Sequence, residues 1–299
     1  MEATKRRSEK NTLAINTQTW RDKLKAYIAN PTSFALFLLV SIAAIVTFLV
    51  LIFIIGYILI NGVPNLTPSL FAFKYSSENV SLMPALFNTL IMTFFSLLIA
   101  APLGIFSAIY LVEYAKRGNK FVNIIRITAE TLSGIPSIVY GLFGMLFFVT
   151  TCKWGYSLVA GAFTLAIMIL PLIMRTTEEA LKAVPDSFRE GSFGLGAGKL
   201  RTVFIVVLPT AIPGILAGII LAIGRIVGET AALIYTAGTV AEIPKNIMSS
   251  GRTLAVHMYS LSREGMHMDQ SYATAVVLLI MVVGINWFSG FIAKKITRG

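Results

Sequence analysis

Six stretches of the 299-residue chain stay apolar for about 20 residues, the length that crosses the hydrocarbon core of a bilayer as a helix. They predict spans at about 34–60, 85–112, 127–151, 156–174, 203–232 and 273–293. Polar chain separates them: a basic head, a loop after span 1 with turn signals at Asn61-Gly62 and Pro64, a charged segment over 175–202, and a long polar loop over about 237–272. The first apolar run is about twice the apolar core of a signal peptide and follows a long polar head, so it reads as an uncleaved span. The expected fold is an all-α integral membrane protein with six transmembrane helices.

Composition agrees with that pattern. Hydrophobic residues make up 56% of the chain and charged residues only 13%, against roughly 25% in soluble domains. The net charge of +11 would suggest nucleic acid in a soluble protein. Here the basic residues sit in the loops, with no basic stripe interleaved with aromatics, so their service is to topology and nucleic-acid binding is excluded. If the N-terminus is cytoplasmic, the inner segments hold nineteen Lys and Arg and the outer segments five (Lys74, Lys153, Lys245, Arg252 and Arg263). That bias predicts a multi-pass protein of the cell membrane with both termini in the cytoplasm. The single Cys152 permits no intramolecular disulfide, and no Cys/His spacing suggests a metal site. His257 and His267 read as solvated loop histidines. No cofactor is expected.

The 175–202 segment carries the first specific signal. Two short amphipathic helices fit it, broken at Val184-Pro185, where proline restricts its predecessor. Asp186 or Ser187 is placed to cap the second helix, and Gly196 to end it. Within it stand Glu190-Gly191-Ser192, three residues, Gly196, nine residues, then Val206-Val207-Leu208-Pro209. This resembles the cytoplasmic signature of ABC import permeases: Glu-Ala-Ala, three residues, Gly, nine residues, Ile-x-Leu-Pro. Every spacing matches; Gly191 and Ser192 replace alanines and Val206 replaces isoleucine. The resemblance implies a MetI-like ABC type-1 permease core over 80–293, with Glu190 to Gly196 as coupling helix for an ATPase subunit. A basic cytoplasmic segment (1–33), a first transmembrane helix (34–60) and a cytoplasmic tail (294–299) complete the chain.

Charges inside the spans bear on what is carried. Span 5 contains Arg225 and, four residues on, Glu229, which on a continuous helix share one face. Two readings stand: an ion pair that fixes helix packing, or a substrate arginine, whose planar donor fork fits phosphate oxygens. Arg175 ends span 4. In span 3, Gly134, Pro136 and Gly141 either interrupt the helix beside a cavity or permit close packing. The Arg225-x-x-Gly228-Glu229-Thr230-Ala231-Ala232 pattern, Gly134-Ile135-Pro136-Ser137-Ile138-Val139-Tyr140-Gly141, and Met268 to Ala275 resemble phosphate ABC permeases of the PstA type. That resemblance implies Arg175 and Arg225 in transport, with Glu229 as partner. It also implies a PstB-type ATPase, a PstC-type second permease, a PstS-type phosphate-binding protein, and inorganic phosphate as cargo. Another oxyanion (sulfate, molybdate, tungstate) and a non-transporting scaffold in phosphate signalling are the alternatives. No phosphate-cradling Gly-Lys-Ser/Thr loop occurs, so ATP hydrolysis is expected on another chain. The amphipathic stretch Thr253 to Leu261 could meet a binding protein or lie on the permease's own outer face.

Overall fold

The computed structural model describes residues 30–116 and 118–298; the basic head over 1–29, Arg117 and Gly299 lie outside them. Among the described residues every regular element is helical. The chain divides into a first unit, Met1–Tyr57, and a second, Ile58–Gly299. Helix α1, Pro31–Gly62, carries the first apolar run and has no polar face.

The second unit is built around α5, Leu158–Lys182. Against it pack α2, Met83–Ile109, and α8, Leu208–Val227, and the helix α11, Met268–Arg298, ends the chain. Two-thirds of the most apolar stretch of α5 is buried within the protein, so this helix is screened from lipid by its neighbours. Its central side chains Leu165, Ile169 and Ile173 form one core with Met92 of α2 and Ala222 and Ile226 of α8. Small residues set the spacing. Gly218 of α8 meets Thr176, Gly214 meets Ala180, and Gly104 of α2 meets Ile173. In lipid, helices gain little from hiding apolar surface from one another, so close backbone approach through such residues drives packing. The span hydroxyls Thr89, Thr93, Thr164 and Thr176 donate to carbonyls one turn back on their own helices, and Thr89 Oγ1 also accepts the Leu254 N–H at 2.8 Å.

Span 3 is not one rod. It splits into α3, Lys120–Ser133, and α4, Ser137–Gly144, which continues as a π turn over Met145–Thr151; the two halves bend by 101°. The elbow is Gly134-Ile135-Pro136, and the Tyr140 hydroxyl donates to Leu132 O at 2.8 Å across it. Gly141 lies beyond the elbow. A Cβ there would come within 2.7 Å of Ala232 Cα, so Gly141 serves close packing rather than the break. α3 meets the end of α5 at Arg175 and Glu178, and Gly144 of α4 meets Thr164, so the bent pair runs the length of α5. Counted as one span, it brings the crossings to six.

Other boundaries also move. α5 continues to Lys182, so the first of the two expected short helices is its extension. The second is α6, Asp186–Gly194; Pro185 precedes it and no side chain caps it. After α7, Lys199–Thr202, a π turn over Val203–Val207 leads into α8. Here Leu208 N–H reaches back five residues to Val203 O. The next residue, Pro209, has no N–H and a ring that crowds the preceding turn, and the wider turn makes room for it.

On the side opposite α6, α9 spans Ala231–Ile234 and α10 spans Leu254–Glu264. The amphipathic stretch thus folds onto the protein itself: Leu254 packs with Leu70, Leu82, Ala85 and Ala273. His257 is not a solvated histidine but fully buried. Burial and then the positive charge of Arg252 lower its pKa to about 3, with the Val80 backbone opposing.

Candidate functional site

Two groups of residues stand out, one around α6 and the other along the α5–α8 pair. The first surrounds α6. Its sequence signature folds into a helix closed by paired backbone bonds: Gly196 N–H donates to Phe193 O, and Ala197 N–H to Ser192 O. Gly196 holds φ +81°, a conformation that opposes any side chain with a Cβ. The Ser192 and Thr202 hydroxyls lie 2.8 Å apart, which ties α6 to the α7–α8 rod that begins with Leu208 and Pro209. Glu190 and Gly191 are exposed, as are the apolar side chains Phe188, Phe193, Leu195 and Leu200. These exposed apolar side chains lie on α6 and on the short stretch that follows it.

A pair that the sequence pattern does not reveal holds α6 in place. Arg189 Nη2 reaches Glu113 Oε1 at 2.7 Å, and its Nε reaches the same oxygen at 3.2 Å. The same guanidinium donates to Leu181 O at 2.9 Å and Val184 O at 2.8 Å. Arg189 therefore links α6, the end of α5 and the end of α2 in one cluster; its side chain is 14% exposed and that of Glu113 8%. Beside it, buried Glu178 holds Arg126 at 2.7 Å and Lys182 at 2.6 Å.

The second group comprises the arginines of the spans. Arg175 is exposed and paired, with Glu179 at 3.2 Å and Glu130 at 3.9 Å. Arg225 is half-buried and makes no ion pair among the described residues. The expected Arg225–Glu229 pairing along one helix face is not formed, because α8 stops at Val227. Glu229 lies past that end, buried, and its Oε1 accepts the Ala232 N–H at 3.1 Å, closing the first turn of α9. Arg225 is instead within electrostatic reach of Tyr140, the residue that spans the elbow. Gly218 marks the level of Thr176, and Arg225 comes seven residues later, so it lies about 10 Å, two turns, beyond Arg175. The two arginines thus occupy successive depths along the α5–α8 pair. Among the described residues no cluster of His, Cys, Asp and Glu could hold a metal ion.

Five to six helices long and apolar enough to cross a membrane, with the short helix α6 between the fourth and fifth, define a multi-pass membrane protein. The sequence profile of the binding-protein-dependent transport system inner membrane component family matches residues 100–298, and the chain belongs to that family. It is a multi-pass inner-membrane protein and a permease subunit of an ABC importer. It is 37% identical over 270 residues to a Bacillus subtilis protein named "Probable ABC transporter permease protein YqgI", covering 83% of this chain and 92% of that one. It is 33% identical over 217 residues to the phosphate transport system permease protein PstA of Mycobacterium leprae, covering 72% and 71%. In fold it matches a chain of the MetNI methionine ABC transporter in an inward-facing conformation, with TM-score 0.56, 23% identity, and 71% and 94% of the two chains covered.

Proposed function

We propose that this permease forms one half of the translocation pathway of an ATP-driven phosphate importer. The observation that carries the reading is Arg225: a permanent positive charge within a span, half-buried, with no carboxylate within 4.0 Å among the described residues. A charge in such a place is expensive unless it meets water or an anion, and a guanidinium is suited to tetrahedral oxyanions. The likeness to phosphate permeases supports phosphate as that anion. Arg175, two turns away and already shared between two carboxylates, is the next cationic station. Glu229 fixes the turn that follows Arg225, and Gly134 and Pro136 bend the helix beside it.

The exposed apolar face around Glu190 and Gly196 supports docking of a separate PstB-type ATPase. The ATPase moves α6, and the Glu113–Arg189 cluster passes the motion to α2 and α5. A PstC-type permease completes the pathway, and a PstS-type binding protein delivers phosphate to the opposite face. Six crossings leave both termini on one side, and the distribution of Lys and Arg supports that side as the cytoplasm.

The test is Arg225→Gln in the reconstituted four-component complex. Phosphate uptake should be lost while the ATPase still co-purifies; uptake at the wild-type rate refutes the substrate role. Inhibition of the wild-type complex by arsenate but not by molybdate supports phosphate, and the reverse refutes it.

A further inference from the structure

A buried arginine, Arg252, lies at the opposite end of the spans from α6. Arg252 is 5% exposed, and its Nε and Nη2 have no hydrogen-bond partner. Its guanidinium lies 4.9 Å from the centre of the Tyr75 ring, and no carboxylate lies within 4.0 Å among the described residues. The neighbouring His257 supplies no counter-charge, since an imidazole is neutral or cationic and burial keeps this one neutral. The backbone fixes Arg252 firmly: its N–H donates to Val240 O at 2.8 Å and its carbonyl accepts from Asn88 Nδ2 at 3.1 Å. A cation held at 5% exposure with only the Tyr75 ring against it is unfavourable unless a counter-ion meets it from a space that it lines.

Arg252 lines a cavity of about 390 Å³ together with Arg263, Thr239, Ser260, Tyr259 and Glu264. Glu264 forms no ion pair with either arginine. Two guanidinium groups and three hydroxyls around a space larger than a tetrahedral oxyanion are a donor set for one. A neighbouring cavity of about 580 Å³ shares Ile234, Tyr259 and Arg263 with the first and extends to Ile138, Thr230 and Ala231. Those residues adjoin Glu229 and the first turn of α4, so the space leads towards Arg225.

We propose that Arg252, with Arg263, Thr239 and Ser260, forms an oxyanion entry site on the extracytoplasmic face, which holds phosphate before it reaches Arg225. The proposal rests on the phosphate-importer reading for its ligand and on that reading's orientation for its face. The probe is inorganic phosphate, and the reporter is Ile234→Cys in a Cys152→Ser background, in the full complex in vesicles of neutral phosphatidylcholine. Phosphate should slow modification of the new thiol by a negatively charged methanethiosulfonate, and Arg252→Gln should remove the slowing. Phosphate uptake by Arg252→Gln should fall about tenfold or more, with Arg252→Lys in between. The exposed Arg263→Gln should reduce uptake too, so the proposal stays testable if Arg252→Gln fails to assemble with the ATPase.

Thiol modification that is indifferent, with Arg252 present, to phosphate and to whichever oxyanion the complex takes up overturns the site. So does wild-type uptake in Arg252→Gln and Arg263→Gln. Slowing that appears only when phosphatidylglycerol is added, without free phosphate, shows a lipid-headgroup site and also overturns it. If the wild-type complex takes up molybdate or sulfate instead, and that anion slows modification, the entry site stands while the phosphate reading falls.

Discussion

Replacing Arg189 with methionine keeps the length of the side chain and removes the guanidinium donors that join α6 to the ends of α2 and α5. Glu113 would then be left 8% exposed with no cation, and the carbonyls of Leu181 and Val184 would lose their side-chain donor. Breaking a buried pair by removing one partner costs about 3–5 kcal/mol. A loss of about 3 kcal/mol corresponds to roughly a 150-fold shift in an equilibrium. Applied to the seating of α6 alone, that would lower the ratio of seated to displaced helix by the same factor. Arg189→Met should therefore insert in the membrane normally but lose ATP-driven uptake and retain the ATPase poorly on purification. Glu113→Gln should resemble it. The double variant Glu113→Gln/Arg189→Met should be less impaired than the sum of the two, because no buried charge remains unpaired. The assay is a double-mutant cycle read by thermal unfolding of the purified complex and by transport in proteoliposomes. Strictly additive effects, or full transport in either single variant, would refute the idea that this pair seats the helix.

Three further outcomes are expected. Gly218→Ala places a Cβ within 2.7 Å of Thr176 Cβ and should lower stability by about 1–3 kcal/mol through forced separation of α5 and α8; an unchanged melting temperature in detergent counts against that packing. Gly196→Ala, at φ +81°, should cost about 1 kcal/mol and weaken coupling, and Gly196→Asn should be milder because asparagine tolerates this conformation; equal activity of all three proteins contradicts the role of the turn. His257 titrates near 3 when folded and near 6.5 when unfolded, so between those values the unfolded chain binds more protons. Its contribution is full above about pH 6.5 and is lost as pH falls towards 3, by up to about 1.4 kcal/mol per pH unit. His257→Gln should flatten the acid limb of the stability curve, and an identical pH dependence in the two proteins would refute this.

How much of the site was legible depends on how far apart its parts lie in the chain. The coupling segment could be read because Glu190 to Pro209 is one short stretch whose spacing reflects a local structure. The placement of Arg225 in a span could be read because a charge within apolar residues is conspicuous. The Glu113–Arg189 pair could not, since 76 residues separate its members and no periodicity links them. The pairing of Arg225 with Glu229 was a fair inference for a continuous helix. It fails because α8 ends between them, and Gly228 and Thr230 are weak signals for that end within an apolar run.

The sequence by itself determined that this protein crosses a membrane repeatedly, because apolar length and the clustering of charge are properties of the chain and of the bilayer. It also determined the position of α6, because proline at 185 and glycine at 196 act on their own backbone. Tertiary structure decided where span 3 bends, which glycines serve contact rather than flexibility, and that His257 and Arg252 are buried. Those outcomes depend on which neighbours occupy the space around each residue, and neighbours are assigned only when all the helices have packed.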